Sequence, residues 1–255
     1  MKIFYKIKIN NYTYLFFLLC ALCGYLKNIL IIFSICLIHE LGHVFFIRLF
    51  KYDVVCIELL PFGGFTTTNQ KINSNINKDL IIALGGIFFQ LIFVLIIFFF
   101  KNDINMITYN LFIKYNLILI IFNLMPIIPL DGNNLVHLLI EKKYSFHLSY
   151  YLNFIVSSIF LILFSIINYI FNIDNYFIIS FLFYKGVIYL KNFKYINNRF
   201  LLERYLYNLD YKKIDNNTSN LKSLRKEVLH FFKENSRYVK ENKKVEKFLY
   251  NKNNN

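Results

Sequence analysis

Long apolar runs separated by short polar segments dominate the chain. Such runs cover about positions 12–26, 28–50, 80–100, 148–171 and 176–190, with a further one that starts between Met106 and Tyr115 and ends in NLMPIIPLDGNN. A helix rises 1.5 Å per residue and needs about 20 apolar residues to cross a bilayer, so the pattern predicts about six transmembrane helices. Two segments depart from it. In VVCIELLPFGGFTTT, β-branched and aromatic residues flank Pro61, Gly63 and Gly64, which predicts a short membrane-associated β-hairpin between helices two and three. In NLMPIIPLDGNN, Asn123 to Asn134, Pro126 and Pro129 each lack an amide donor and clash with the preceding turn, so the fourth helix must be interrupted there. The expected fold class is an all-α polytopic membrane protein. Beyond residue 192 the periodicity predicts polar helical stretches in LERYLYNL and LRKEVLHFFKEN, and a disordered NKNNN end.

Composition agrees with a membrane reading. Of the 255 residues 57% are hydrophobic, including 30 Phe and 20 Tyr against 3 Pro, and the mean hydropathy is +0.45. The abundance of Ile, Phe, Tyr, Asn and Lys has the look of an AT-rich coding bias, so an isolated Asn or Tyr carries little information. The net charge of +14 is unevenly placed, with 15 Lys and Arg against 7 Asp and Glu from Asn192 onward. This divides the chain into a membrane-embedded domain, 1–191, and a basic tail, 192–255. Most remaining basic residues fall in segments that a six-span arrangement puts on one side, so the positive-inside rule places both termini in the cytoplasm. After a membrane domain, a basic tail faces anionic lipid; no nucleic-acid reading motif accompanies it, and no nucleic-acid partner is expected.

The four cysteines give no disulfide framework. Cys20 and Cys23 form a C-x-x-C inside an apolar run with no second pair, and Cys36 lies one turn before His39 on the same helical face. The distinctive chemistry is HELGH, residues 39–43, inside a run long enough to span a bilayer, where ionisable groups need a reason. At spacing i, i+4 on a helix, His39 and His43 share a face and can offer two imidazole nitrogens to one zinc ion. Glu40 then projects beside the metal as a base for water. Catalytic zinc usually takes three protein ligands. Glu58, His137 and Asp131 are the candidates for the third. Asp131 is the strongest, because a carboxylate near the membrane interior costs about 2.5–3.5 kcal/mol, a cost that coordination removes.

HELGH on one span and NLMPIIPLDG at the end of a later one resemble the site-2 protease family of intramembrane zinc metalloproteases. The length, the six spans and the intervening LLPFGG resemble its stage IV sporulation protein FB branch in particular. The resemblance covers roughly residues 1–200 and implies one Zn2+ per chain, held by His39, His43 and Asp131, with Glu40 as the catalytic base. It implies substrate-binding roles for Asn123, Pro126 and Pro129, and for a re-entrant hairpin around Phe62, Gly63 and Gly64. The implied activity is regulated cleavage of a membrane-associated protein, a sporulation pro-sigma factor among the candidates, in the cell membrane of a bacterium, with the lipid bilayer and membrane regulatory proteins as further partners. The alternative is a zinc-binding pseudoprotease acting as a scaffold.

The chain departs from the family pattern at three places. Span three carries Gly85-Gly86 and Gln90 where the family often has Gly-Pro with a downstream Asn. Asn133 stands where a second glycine commonly follows Asp-Gly. These bear on packing and substrate fit more than on the metal. The tail is short for the CBS domain that usually ends the sporulation branch, and is expected to be a reduced or degenerate CBS-like region.

Overall fold

The structure, a computed structural model, describes residues 6–9, 11–60, 63–171, 176–207, 209, 211–218, 220–234 and 237–253. In chain order its elements are β1 (Lys6–Ile9), α1 (Asn11–Leu22), α2 (Leu26–Leu49), β2 (Val54–Leu60), β3 (Gly63–Thr68), α3 (Ile76–Phe99), α4 (Met106–Leu124), α5 (Asp131–Lys143), α6 (Phe146–Ile170), α7 (Tyr176–Leu206), β4 (Lys213–Thr218), β5 (Val228–Glu234), β6 (Arg237–Lys240) and α8 (Glu241–Asn253). They divide into two compact units, Met1–Gln70 with Ile81–Leu124, and Lys71–Leu80 with Met125–Asn255. The boundary expected at residue 191 falls inside α7.

The first unit is built on α2, whose neighbours are chosen by small residues. Gly42 of α2 faces Gly85 of α3 so closely that a Cβ on Gly42 would collide with the Gly85 carbonyl. Small residues at such a crossing let helix backbones approach without a hydrophobic driving force. Phe93 of α3 meets Phe112 of α4 edge-on at 5.3 Å, and α4 packs on α2. On another side, Val44 of α2 and Ile57 of β2 are buried together with Phe33, Leu37 and Val54 against them.

The sheet of this unit has order β1-β2-β3. The expected hairpin is present as β2 and β3, antiparallel with Leu60 opposite Gly63. It is not an isolated hairpin. Lys6–Ile9 pairs parallel to β2, Lys6 opposite Cys56 and Ile9 opposite Leu59. The K-I-K-I alternation has the period of two that a strand requires.

The larger segment of the second unit begins at the interrupted helix. α4 ends at Leu124 and α5 starts at Asp131, as the two prolines require. The connecting backbone is satisfied locally: Leu130 N–H donates to Ile127 O at 2.8 Å, and Ile128 N–H to Ser157 Oγ at 2.8 Å. Ile127 and Ile128 are buried, and the Ile128–Pro129 peptide is cis. Glu141 to Lys143 form the last turn of α5.

The tail corrects the sequence reading. LRKEVLHFFKEN is a strand over Val228–Glu234, not a helix: His230 and Phe232 are buried while Lys233 is exposed, an inside-outside alternation that outweighs the helix-like spacing. β5 pairs parallel to β4, Lys213 opposite Val228, and antiparallel to β6, Glu234 opposite Arg237. Helix α8 carries through Asn253, which includes most of the Asn-rich end. Phe146, Phe200, Leu201, Leu224, Phe232 and Val245 form the core beneath this sheet, with the Phe146 and Phe200 rings stacked at 4.1 Å. The chain is mostly helical, but with two three-stranded sheets it is not all-α.

Among the described residues four helices, α2, α3, α4 and α6, are long and apolar enough to cross a membrane. These make the chain a multi-pass membrane protein. α1 is shorter, at 12 residues, and α7 continues an apolar first half into a polar second half.

Candidate metal centre

α2 presents His39, Glu40 and His43, all buried. Each histidine is fixed through its Nδ1 by α3. His43 Nδ1 lies 2.8 Å from the carbonyl oxygen of Ile82, and His39 Nδ1 lies 3.0 Å from Gln90 Oε1. Oxygen acceptors of this kind require an N–H, so both rings carry their proton on Nδ1 and turn the Nε2 lone pair outward. The two Nε2 atoms are 3.0 Å apart, with the rings edge to face at 80°. Lone pairs facing at this distance repel unless a cation lies between them. Two nitrogens bound to one tetrahedral zinc ion stand roughly 3.3 Å apart, so the pair fits that group.

Ile82, Gly86 and Gln90 recur every fourth residue of α3 and so form one stripe along it. Gly86 leaves room for an imidazole, since a Cβ there would run into the His39 ring. Glu40 is held from β3: Thr66 Oγ1 donates to its Oε2 at 2.8 Å, and a Cβ on Gly64 would collide with its side chain. Glu40 is thus held by a strand as well as by the helix that carries it.

The other predicted positions fall as follows. Gly64 lies against Glu40; Gly63 pairs with Leu60 in the hairpin; Phe62 lies outside the described residues. Glu58 is in β2, opposite Phe65 and Lys8. Asn123 is in the last turn of α4 and half-buried; Pro126 and Pro129 lie in the segment between α4 and α5, and Asp131 is the first residue of α5. The peptide dipoles of a helix favour a carboxylate at that end. His137 packs beside Glu141, 3.6 Å away, and edge-on to Tyr150, a packing role. Sequence reasoning treated Gln90 as a packing departure and passed over Thr66 and Ile82. A glutamine inside the most apolar span was the available signal for the first; a backbone carbonyl leaves none.

A buried histidine pair with outward Nε2 atoms and a buried glutamate beside it, carried by a helix of membrane-spanning length, form a donor set that suits a metal ion. Residues 27–106 match peptidase family M50. Stage IV sporulation protein FB of Bacillus subtilis (strain 168) is 32% identical over 161 residues, covering 62% of this chain and 56% of that protein. A zinc metalloprotease of Methanocaldococcus jannaschii is 29% identical over 122 residues, covering 46% and 35%. The solved site-2 protease from Methanocaldococcus jannaschii superposes with a TM-score of 0.56 at 19% identity, over 73% of this chain and 91% of that one, a likeness of fold. The sequence resemblance to the site-2 protease family and these comparisons point the same way, with the family M50 match confined to residues 27–106. The chain spans about half the length, or less, of the curated relatives it matches.

Proposed function

We propose that the protein is an intramembrane zinc metalloprotease that cuts a membrane-associated protein substrate. The observation that carries this reading is the pair of Nε2 atoms 3.0 Å apart, each ring locked through Nδ1, with Glu40 on the next residue. His39 and His43 supply two nitrogen donors and Asp131 one carboxylate oxygen, a set of three that suits catalytic zinc. The likeness to a named zinc metalloprotease supports the choice of metal. When bound, zinc supplies Lewis acidity that polarises a carbonyl and acidifies water.

Glu40 takes the proton from the attacking water, and the same carboxyl returns a proton to the leaving amine. Thr66 orients the base, keeping one carboxylate oxygen engaged so that the other faces the reaction. Asn123, Pro126 and Pro129 hold the substrate, and the hairpin around Phe62, Gly63 and Gly64 lies on its path, where a strand edge pairs with an extended peptide. A helical substrate must unwind first, because its carbonyls are engaged in backbone hydrogen bonds.

In this reading α1 and the first half of α7 complete six spans, both termini are cytoplasmic, and the tail is a reduced CBS-like region. Likeness to a sporulation protein supports a pro-sigma factor as one candidate substrate in a bacterial cell membrane, with membrane regulatory proteins as further partners. The test is co-expression of candidate substrates with wild-type protein and Glu40→Gln, reading cleavage and zinc content. The variant is expected to hold zinc and cut nothing. Cleavage at the wild-type rate by the variant, or a wild-type protein without zinc, overturns the proposal; zinc without cleavage in both supports a pseudoprotease scaffold instead.

A further inference from the structure

We infer that Gln90 is the positioning residue for His39, and that its side-chain oxygen sets how tightly the histidine pair holds zinc. The inference rests on the proposed reading of His39 and His43 as metal ligands and goes beyond it to a residue outside the ligand set. Three observations meet at this residue. Gln90 is 1% exposed, on the most apolar of the spans, where a primary amide has no packing advantage over leucine. Its Oε1 stands 3.0 Å from His39 Nδ1. Its Nε2 is buried without a hydrogen-bond partner among the described residues, so the amide is kept for what its oxygen does.

The two histidines are held by different means. His43 donates to a backbone carbonyl, that of Ile82, which no substitution removes while α3 stays helical. His39 donates to a side chain, so its orientation depends on one residue. Gly86, one turn before Gln90, provides the space into which the ring fits. Gln90 then selects the rotation and the tautomer that leave Nε2 directed at its partner. An acceptor on the outer nitrogen also makes the ligating nitrogen a better donor, and loss of such partners typically weakens metal binding 10–100-fold.

The experiment uses the full-length protein in detergent and reads zinc affinity by chelator competition, apart from any cleavage assay. Wild type is expected to hold one zinc. Gln90→Leu, of similar volume without an acceptor, is expected to bind roughly 10–100-fold more weakly, whereas Gln90→Glu, which keeps an acceptor at the same reach, stays within a few-fold of wild type. Leu binding as tightly as wild type, or Leu and Glu weakened alike, overturns the inference and leaves the proposed function standing. A wild-type protein that holds no zinc overturns the proposed function itself. Should the Leu variant aggregate, Gln90→Asn replaces it: the amide is one methylene short, and affinity equal to that of Glu and wild type overturns the inference.

Discussion

Thr66 donates its hydroxyl hydrogen to Glu40 across 26 residues of sequence, Oγ1 to Oε2 at 2.8 Å. The bond ties Glu40 on α2 to β3, so that in the proposed function the hairpin takes part in positioning the base. A hydrogen bond to a charged group contributes roughly 1.5–3 kcal/mol. Thr66→Val removes it while preserving shape. The expected result is a fall in kcat of about tenfold or more, since about 1.4 kcal/mol is a factor of ten, with zinc content unchanged. A variant that instead raises KM alone would place Thr66 in substrate binding.

Glycine spacing makes a sharper prediction. A methyl at Gly86 would enter the His39 ring, and one at Gly64 would enter the Glu40 side chain. Gly86→Ala is expected to lose zinc, because the ring is the rigid neighbour and must rotate off its axis. Gly64→Ala is expected to keep zinc and lose cleavage. Overpacking of this kind costs roughly 1–3 kcal/mol, and the two variants are separated by measuring metal content beside activity.

How much of this was legible beforehand depended on which signals are local. The pairing of His39 with His43, the burial of Glu40 beside them and the break at Pro126 and Pro129 were readable because each follows from helix geometry over a few residues. The strand at Lys6–Ile9 was not, since its partner Cys56–Leu59 lies some fifty residues away. In the tail, Val228–Glu234 carries apolar residues at spacings compatible with either period, and pairing with β4 and β6 decided for the strand. Gln90 was visible as a residue but not as a function. Only the packing of α3 on α2 gives it a partner.

The tail contains its own buried charge. Arg204, fully buried, donates to both carboxylate oxygens of Glu241, at 2.7 and 2.9 Å from Nη2, and to the carbonyls of Arg225 and Val228. Glu241 also accepts from the His230 amide and from the Tyr211 hydroxyl. Removing one partner of such a pair leaves an uncompensated charge and costs roughly 3–5 kcal/mol. Arg204→Met is therefore expected to open α8 and β5 to limited proteolysis, while α2 and α3 keep their protection. An unchanged digestion pattern would show that the network adds nothing to the stability of the tail.

Acid should loosen the same region. The Arg225 amide donates to His230 Nε2, so the ring proton sits on Nδ1 and is given to Thr218 Oγ1, 2.6 Å away. Burial, then the positive charge of Arg204, pushes the His230 pKa below its ordinary 6.5, and the folded tail prefers the neutral ring. A group with a lowered folded pKa is protonated more readily in the unfolded chain, so stability is fully present above pH 6.5 and declines as the pH falls towards the folded value. His137, also pushed down by burial, adds in the same direction. Lys226 does not share in this window. Burial lowers its pKa, but attraction to Glu141, with which it pairs at 2.7 Å, and then to Asp79, holds it above the usual lysine value, so it stays charged throughout. The protection factors of the β5 amides, with the intrinsic pH dependence of exchange divided out, are therefore expected to fall between pH 7 and 5.5 in wild type and to change less in His230→Gln. An equal response in both would exclude His230 as the group that couples the tail to pH.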